Sequence, residues 1–293
     1  MAEVALVYQP ALDGALPLAE RCATTIEKHA MQPSLVSSRD VGPELKCADL
    51  SLALTFGGDG TILRTARWLA GSAVPIIGVR MGRLGFLAEL EPSDLPGSLG
   101  PYLAGDYWLD HRAMLHAAVT STGVAGWEAT ADQLASQAAN PQPTPEPQTF
   151  VALNDIVVGR GQSVRTVTVD LSLEGHVLHR FRCDGLIVAT ATGSTAYSFA
   201  AGGPILAPAS SDLVVTAICP HISSLRSLVM PSDSPLRLQV WAPEMAMVTI
   251  DGQIDHLVGD GSVVETRLSQ CTTAFARRGT SAEFYSRLLA KLD

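Results

Sequence analysis

What this chain lacks narrows its function before any motif is read. Its five cysteines, Cys22, Cys47, Cys183, Cys219 and Cys271, are odd in number, widely spaced and include no CxxC pair, so they read as reduced, mostly structural thiols rather than a disulfide or zinc framework. No cluster of Lys and Arg offsets the formal net charge of −9. That argues against a nucleic acid or an anionic membrane as the main partner. No stretch of about 18 apolar residues occurs, and residues 1–10 lack a charged start followed by an apolar run, so the chain is expected in the cytoplasm. There is no internal repeat, no Gly-Lys-Ser/Thr ending of a Walker A loop and no GxGxxG fingerprint, which removes the two commoner phosphate motifs.

What is present is a chain of 293 residues, 47% hydrophobic and 17% charged, long enough for two domains with their own cores. Residues 4–8 and 50–56 form short apolar runs suited to buried parallel strands, and residues 74–79 a third. Between them, residues 16–30 and 62–69 have helical spacing, the first carrying Leu18, Ile26 and Ala30 toward the sheet. Strands alternating with helices predict a doubly wound α/β domain over residues 1–107. From residue 108 to 278 the apolar segments become strands separated by turns, as at 164–173, 177–181, 236–240, 247–250 and 262–268, predicting a mainly β, sandwich-like domain. Residues 279–293 return to helix, with Ser281 as N-cap and Phe284, Leu288 and Leu289 on one side, expected to pack on the first domain. An insert at about 122–148, with Pro141, Pro143, Pro145 and Pro147 at alternate positions, reads as a solvated loop.

Two glycine-rich strings carry the chemistry. TFGGDGTILR, residues 55–64, runs from the end of a buried strand into a helix start. Gly57, Gly58 and Gly60 let the backbone approach a phosphate, and the helix N-terminus favours negative charge. Asp59 then sits at the carboxyl edge of the sheet, where open α/β sheets bind ligands, and either accepts a proton from an attacking hydroxyl or holds a divalent cation. The plain alternative is an Asp-Gly turn between strand and helix. The second string, residues 182–206, is rich in small and hydroxylated residues, among them Thr190, Thr192, Gly193, Ser194, Thr195, Tyr197 and Ser198. Such a loop suits close wrapping of a polar ligand. A nucleophilic Ser194 is the competing idea, but it lacks the GxSxG elbow and assignable His and Asp partners. Asn154-Asp155 and Asp251-Gly252-Gln253 are shorter pieces that alone would be turn chemistry.

Together, residues 57–61, GRLGFL at 82–87, Asn154-Asp155, the 184–204 string, residues 251–253 and the ending FYSRLLAKL at 284–292 resemble the NAD kinase family in order and spacing. The resemblance implies an N-terminal α/β domain, a C-terminal β domain, and phosphorylation by ATP of the adenosine ribose 2′-hydroxyl of NAD with a divalent cation, Mg²⁺. It places the proton acceptor on Asp59, with Gly60 contacting the dinucleotide beside it. Further dinucleotide contacts fall on Arg64, Asn154, Asp155, Arg182, Asp184, Gln253 and the run Thr195, Ala196, Tyr197, Ser198, Phe199 and Ala200, with Arg165 carried over by distance from Asn154 alone. Thr61 completes the phosphate turn, and no residue is assigned as a direct metal ligand. The resemblance also implies a homodimer or homotetramer. One departure is Arg226-Ser227, where the family usually has Arg-Pro. The GGDG element alone is shared with diacylglycerol and sphingosine kinases, so a lipid kinase is one rival and a non-catalytic NAD(P) sensor another.

Overall fold

The computed structural model of the chain describes residues 2–42, 45–82, 85–122, 146–161, 165–280 and 282–292. Most of the Pro-rich insert, Val164, the centre of GRLGFL and the N-cap position Ser281 lie outside them. The chain forms two compact units, Met1–Arg112 with Gln270–Asp293, and Ala113–Ser269.

In the first unit, β1 (Glu3–Tyr8), α1 (Ala15–Lys28), β2 (Gln32–Ser37), β3 (Leu50–Gly57), α2 (Asp59–Trp68), β4 (Ile76–Arg80) and α3 (Leu95–Leu103) follow one another. The strands lie in the order β2-β1-β3-β4, and every pairing among them is parallel. Alternation along the strands sorts the helices onto opposite faces. Val4, Leu6, Leu54, Ile77 and Val79 share a core with Leu18, Ile26, Leu95 and Leu99 of α1 and α3. Gly78 points the other way, where a Cβ would lie 2.7 Å from Cδ1 of Ile62 on α2. The sheet is therefore doubly wound.

Three local expectations change. Helix α1 ends at Lys28, and Ala30 has φ 58 beyond its C-cap, exposed rather than facing the sheet, because the chain must reverse there to enter β2. Helix α2 begins at Asp59, earlier than its apolar spacing suggests. Strand β4 starts two residues later than the apolar run, at Ile76. Cys22 is buried in this core, and burial pushes its thiol up to about 11.

The second unit takes up β5 (Trp108–Thr120) from Ala113 onward, then β6 (Gln148–Ala152), β7 (Asp155–Arg160), β8 (Val167–Leu173), β9 (His176–Cys183), β10 (Gly185–Ala189), a 3₁₀ turn (Gly193–Thr195), the short α4 (Tyr197–Ala200), β11 (Leu213–Ile218), β12 (Ser227–Met230), β13 (Leu236–Trp241), β14 (Ala246–Ile250), β15 (Ile254–Val258) and the start of β16 (Val263–Arg277). A six-stranded sheet runs β12-β11-β10-β7-β14-β15. Its inner residues, such as Ile156, Val158, Leu186, Val188 and Val248, share one core with Val169, Leu171, Leu236 and Leu238 of β8 and β13. Two sheets packed face to face make a sandwich. Its outer face, through Val157, Ile187 and Ala189, carries a small second cluster.

Strand β16 continues past Ser269 into the first unit, where Phe275 pairs in parallel with Ile76. The last helix, α5 (Ala282–Leu292), also belongs to that unit. Leu288 is 6% exposed but Leu289 61%; the two lie about 100° apart around the helix, and only Leu288 turns inward.

Candidate functional site

In the first unit, strand β3 delivers Gly57 to the carboxyl edge of the sheet, and Gly58 caps α2 in an extended conformation (φ −95, ψ −174). Asp59 is thus the first residue of the helix and not part of a turn before it. A Cβ on Gly57 would lie 2.2 Å from Oγ1 of Thr61, whereas one on Gly58 would meet nothing within 4 Å. The first glycine lets strand and helix close on one another. The second faces open space at a helix N-terminus, the place where anions bind.

Asp59 is fixed by the loop that follows β4. Its Oδ2 accepts the N–H of Phe86 at 2.9 Å and its Oδ1 that of Leu87 at 3.3 Å. Gly85 makes this approach possible, since a Cβ there would lie 2.1 Å from Oδ1. Thr61 is 3% exposed and its hydroxyl is buried without a hydrogen-bond partner. Arg64 donates to the carbonyl of Ser38 at 2.9 Å.

In the second unit a cavity of about 550 Å³ opens on the outer face of the six-stranded sheet. Five expected residues line it: Asn154, Asp155, Asp184, Ala196 and Tyr197. Asp251 organises this wall, for its carboxylate accepts the N–H groups of Leu153 (3.2 Å), Asn154 (2.8 Å) and Asp155 (3.2 Å). The Asn154 Oδ1 is buried with no hydrogen-bond partner, an acceptor whose desolvation is uncompensated within the protein. Asp155 is 4% exposed. Burial, and then the neighbouring charge of Asp251, push its carboxyl up to about 7. Tyr197 presents a half-exposed ring to the cavity.

The hydroxyls of the second glycine-rich string turn inward. Thr190 donates to the carbonyl of Leu153 (2.6 Å), Thr195 to that of Thr192 (3.0 Å), and Ser198 pairs with Thr216 (2.8 Å). They build the loop, and the N–H groups of Gly193, Ser194 and Ala196 are likewise bonded within it. Ser194 is fully buried, donates to the carbonyl of Ala191 (2.6 Å) and accepts from Leu206 N–H (3.0 Å), so it is no nucleophile. Gly193 lets this loop touch the Asn154 turn, since a Cβ would lie 2.0 Å from the Asn154 carbonyl oxygen.

The cavity does not gather every expected residue. Arg182 donates to Thr166 at 3.3 Å, Arg165 pairs with Glu244 at 3.8 Å on the surface, and the Gln253 N–H closes a turn onto Ile250. Phe199 and Ala200 are exposed on α4. The sequence reading missed Arg160 and Thr249 on the cavity wall, and it picked out the Asp251-Gly252-Gln253 turn without giving Asp251 itself a role. Arg160 faces Asp184 at 3.9 Å. For Asp251 a signal existed: an Asp-Gly pair between two strands, both residues at positive φ. Among the described residues, no group of three His, Cys, Asp or Glu side chains is arranged to hold a metal ion, and no helix is long and apolar enough to cross a membrane.

Comparison with known proteins bears on this geometry. Residues 4–107 match the family model of the ATP-NAD kinase N-terminal domain, and residues 153–277 that of the C-terminal domain. An NAD kinase of Dehalococcoides mccartyi (strain BAV1) is 35% identical over 293 residues, covering 99% of this chain and 95% of that protein. The chain belongs to the NAD kinase family. A second NAD kinase, from Heliobacterium modesticaldum, is also 35% identical, over 97% of this chain and 96% of its own length. Two solved structures share the NAD kinase fold at low identity. A yeast NADH kinase complexed with NADH superposes with a TM-score of 0.82 at 20% identity over 100% of this chain and 87% of its own. An NAD kinase from Archaeoglobus fulgidus in complex with ATP gives 0.75 at 23% over 98% and 99%.

Proposed function

We propose that Asp59 accepts the proton of the adenosine ribose 2′-hydroxyl of NAD as that oxygen attacks the terminal phosphoryl group of ATP, giving NADP and ADP. The activity is the one its full-length relatives are named for, and the chain is a phosphotransferase. The observation that carries the assignment of the base is the pairing of an oriented carboxylate with open space over Gly58 at a helix N-terminus. In phosphoryl transfer the protein contributes mainly position and electrostatics. Here the helix end and the glycine backbone cradle the donor's phosphates, and two N–H groups hold the carboxylate ready for the hydroxyl proton.

The cavity of the second unit takes part of the dinucleotide. The unpartnered Asn154 Oδ1 is matched to an amino donor, the carboxyls of Asp155 and Asp184 to ribose hydroxyls or a carboxamide, and the Tyr197 ring to stacking. Gly57 and Thr61 are assigned to the phosphate turn, and Gly60 and Arg64, the latter anchored on the Ser38 carbonyl, to the dinucleotide beside it by resemblance. Arg165, Arg182, Thr195, Ser198, Phe199, Ala200 and Gln253 remain dinucleotide contacts by resemblance. Mg²⁺, when bound, neutralises charge developing on the transferred group. A cation carried by the nucleotide fits this site, since Mg²⁺ keeps several waters and is held largely by substrate phosphates, which leaves the Asp59 carboxylate for the proton. The chain acts in the cytoplasm as a homodimer or homotetramer, a reading that rests on the family resemblance and the five free cysteines.

The lipid-kinase alternative loses its ground because the second half of the chain, and not the GGDG element alone, matches an ATP-NAD kinase domain. Incubation of the purified chain with NAD, ATP and Mg²⁺ should yield NADP, whereas a sensor would bind NAD and form none. Asp59→Asn should lower turnover by about 10²- to 10⁴-fold, the span of a positioned base, with NAD affinity nearly unchanged by calorimetry. Near-normal turnover in that variant would overturn the assignment.

A further inference from the structure

Asp59 owes its orientation to the loop at residues 85–87, and that loop is gripped from the far end of the sequence. Arg277, the last residue of β16, is 4% exposed. Its Nη1 donates to the carbonyl of Leu87 at 3.0 Å and to Oε2 of Glu89 at 3.1 Å, and its Nε to Oδ2 of Asp110 at 3.4 Å. Leu87 is the residue whose N–H holds Oδ1 of Asp59. One residue thus carries the arginine on its carbonyl and the carboxylate on its amide.

Glu89 ties down the other end of the segment. Its N–H bonds the carbonyl of Gly78 in β4 at 2.9 Å, and its Oε1 accepts the N–H groups of Arg278 (3.2 Å) and Gly279 (3.3 Å). Asp110, in turn, holds the Arg112 guanidinium through two bonds of 2.8 and 2.7 Å. A buried guanidinium is costly to desolvate and weak as a stabilising device, but its planar fork fixes several acceptors in one geometry. The Leu87 carbonyl and the Leu87 amide lie in adjacent peptide planes that meet at its Cα, so anchoring the first limits how far the second can turn about φ and ψ.

We propose that Arg277 is a positioning residue for phosphoryl transfer: by holding the carbonyl of Leu87 against Glu89 and Asp110, it sets the N–H groups that aim the Asp59 carboxylate. The inference rests on the reading of Asp59 as the base. It distinguishes Arg277 from a residue that only adds stability, because its loss should act on turnover and not on dinucleotide affinity.

The test uses the full-length chain. Arg277→Lys keeps the charge but gathers its donors on one freely rotating nitrogen, so it cannot reproduce the fixed fork by which Nε meets Asp110 while Nη1 meets Leu87 and Glu89. Turnover per NAD-binding-competent molecule, counted by calorimetry, should fall by about ten- to a hundredfold, the cost of misplacing a reacting group by up to an ångström. The Kd for NAD should stay within about twofold on that scale, and hydrogen exchange at the Phe86 and Leu87 amides should quicken. Glu89→Gln keeps the side-chain shape and weakens the grip. It should show the same pattern with a smaller loss, and it carries the test if the arginine variant does not fold. Unchanged turnover per competent molecule, or unchanged exchange at Phe86 and Leu87, in a folded variant would overturn the inference. A slow Asp59→Asn enzyme beside an undisturbed Arg277→Lys enzyme overturns this inference alone, whereas a fast Asp59→Asn enzyme overturns the reading beneath it.

Discussion

The phosphate turn of the first unit and the cavity of the second both depend on glycine, but for opposite reasons. Gly58 has nothing within 4 Å of its missing Cβ, while Gly193 would drive a Cβ to 2.0 Å from the Asn154 carbonyl oxygen. The first leaves space for something outside the protein, and the second lets two protein loops touch. The carboxylates divide in the same way. Asp59 is given two N–H donors, whereas Asp155 is placed beside another carboxylate in a buried wall and its proton is held up to about 7. One region keeps a carboxylate oriented beside open space, and the other packs its loops into the wall of a cavity.

The contrast is open to direct attack. Gly193→Ala should be the most damaging change, costing about 3 kcal/mol in chemical denaturation, the upper end of overpacking because the obstacle is backbone. Folded protein that remains should lose NAD binding through displacement of Asn154. If it bound NAD normally, the contact would not be what shapes the cavity.

Asp155→Asn comes next. The folded carboxyl's pKa lies above its ordinary value of 3.8, so as pH rises the unfolded chain releases this proton first and stability is lost between about pH 4 and about pH 7. The Asn variant escapes that loss. Its unfolding free energy should match the wild type near pH 4 and exceed it at pH 8 by a few kcal/mol at most. A difference independent of pH would show that Asp155 titrates as an ordinary carboxyl.

The smallest effect on stability belongs to Gly58→Ala. Its extended backbone suits any residue, so the unfolding free energy should move by no more than about 0.5 kcal/mol, yet the KM for ATP should rise because the methyl occupies the phosphate space. An unchanged KM would mean that the open space over Gly58 is not where the donor sits.

Much of this was legible in the sequence where a local pattern carried the physics. The apolar runs of β1 and β3 and the glycines of residues 57–60 follow from short-range rules, and so did the two-domain fold class. Strand β2 escaped notice because Pro33 interrupts it and its side chains are half exposed, a pattern tolerated at its edge position. Helix α3 escaped because Pro96, Gly97, Gly100 and Pro101 fill a nine-residue segment held by buried Leu95, Leu99 and Tyr102. The inward turn of Thr190, Thr195 and Ser198 depends on carbonyls that only the folded loop brings near. The grip of Arg277 on Leu87 and Glu89 spans 190 and 188 residues, and no spacing rule reaches that far.

Strand β16 gives the molecule an order of completion. As the chain leaves the ribosome, residues 1–112 emerge before the strand that pairs Phe275 with Ile76 and the arginine that reaches Leu87. The second unit, continuous from Ala113 to Ser269, has all its residues before the first does. Under the roles proposed above, Asp59 is locked in place only after residue 277 has been added, and a chain released before then would carry the cavity of the second unit without an aligned base.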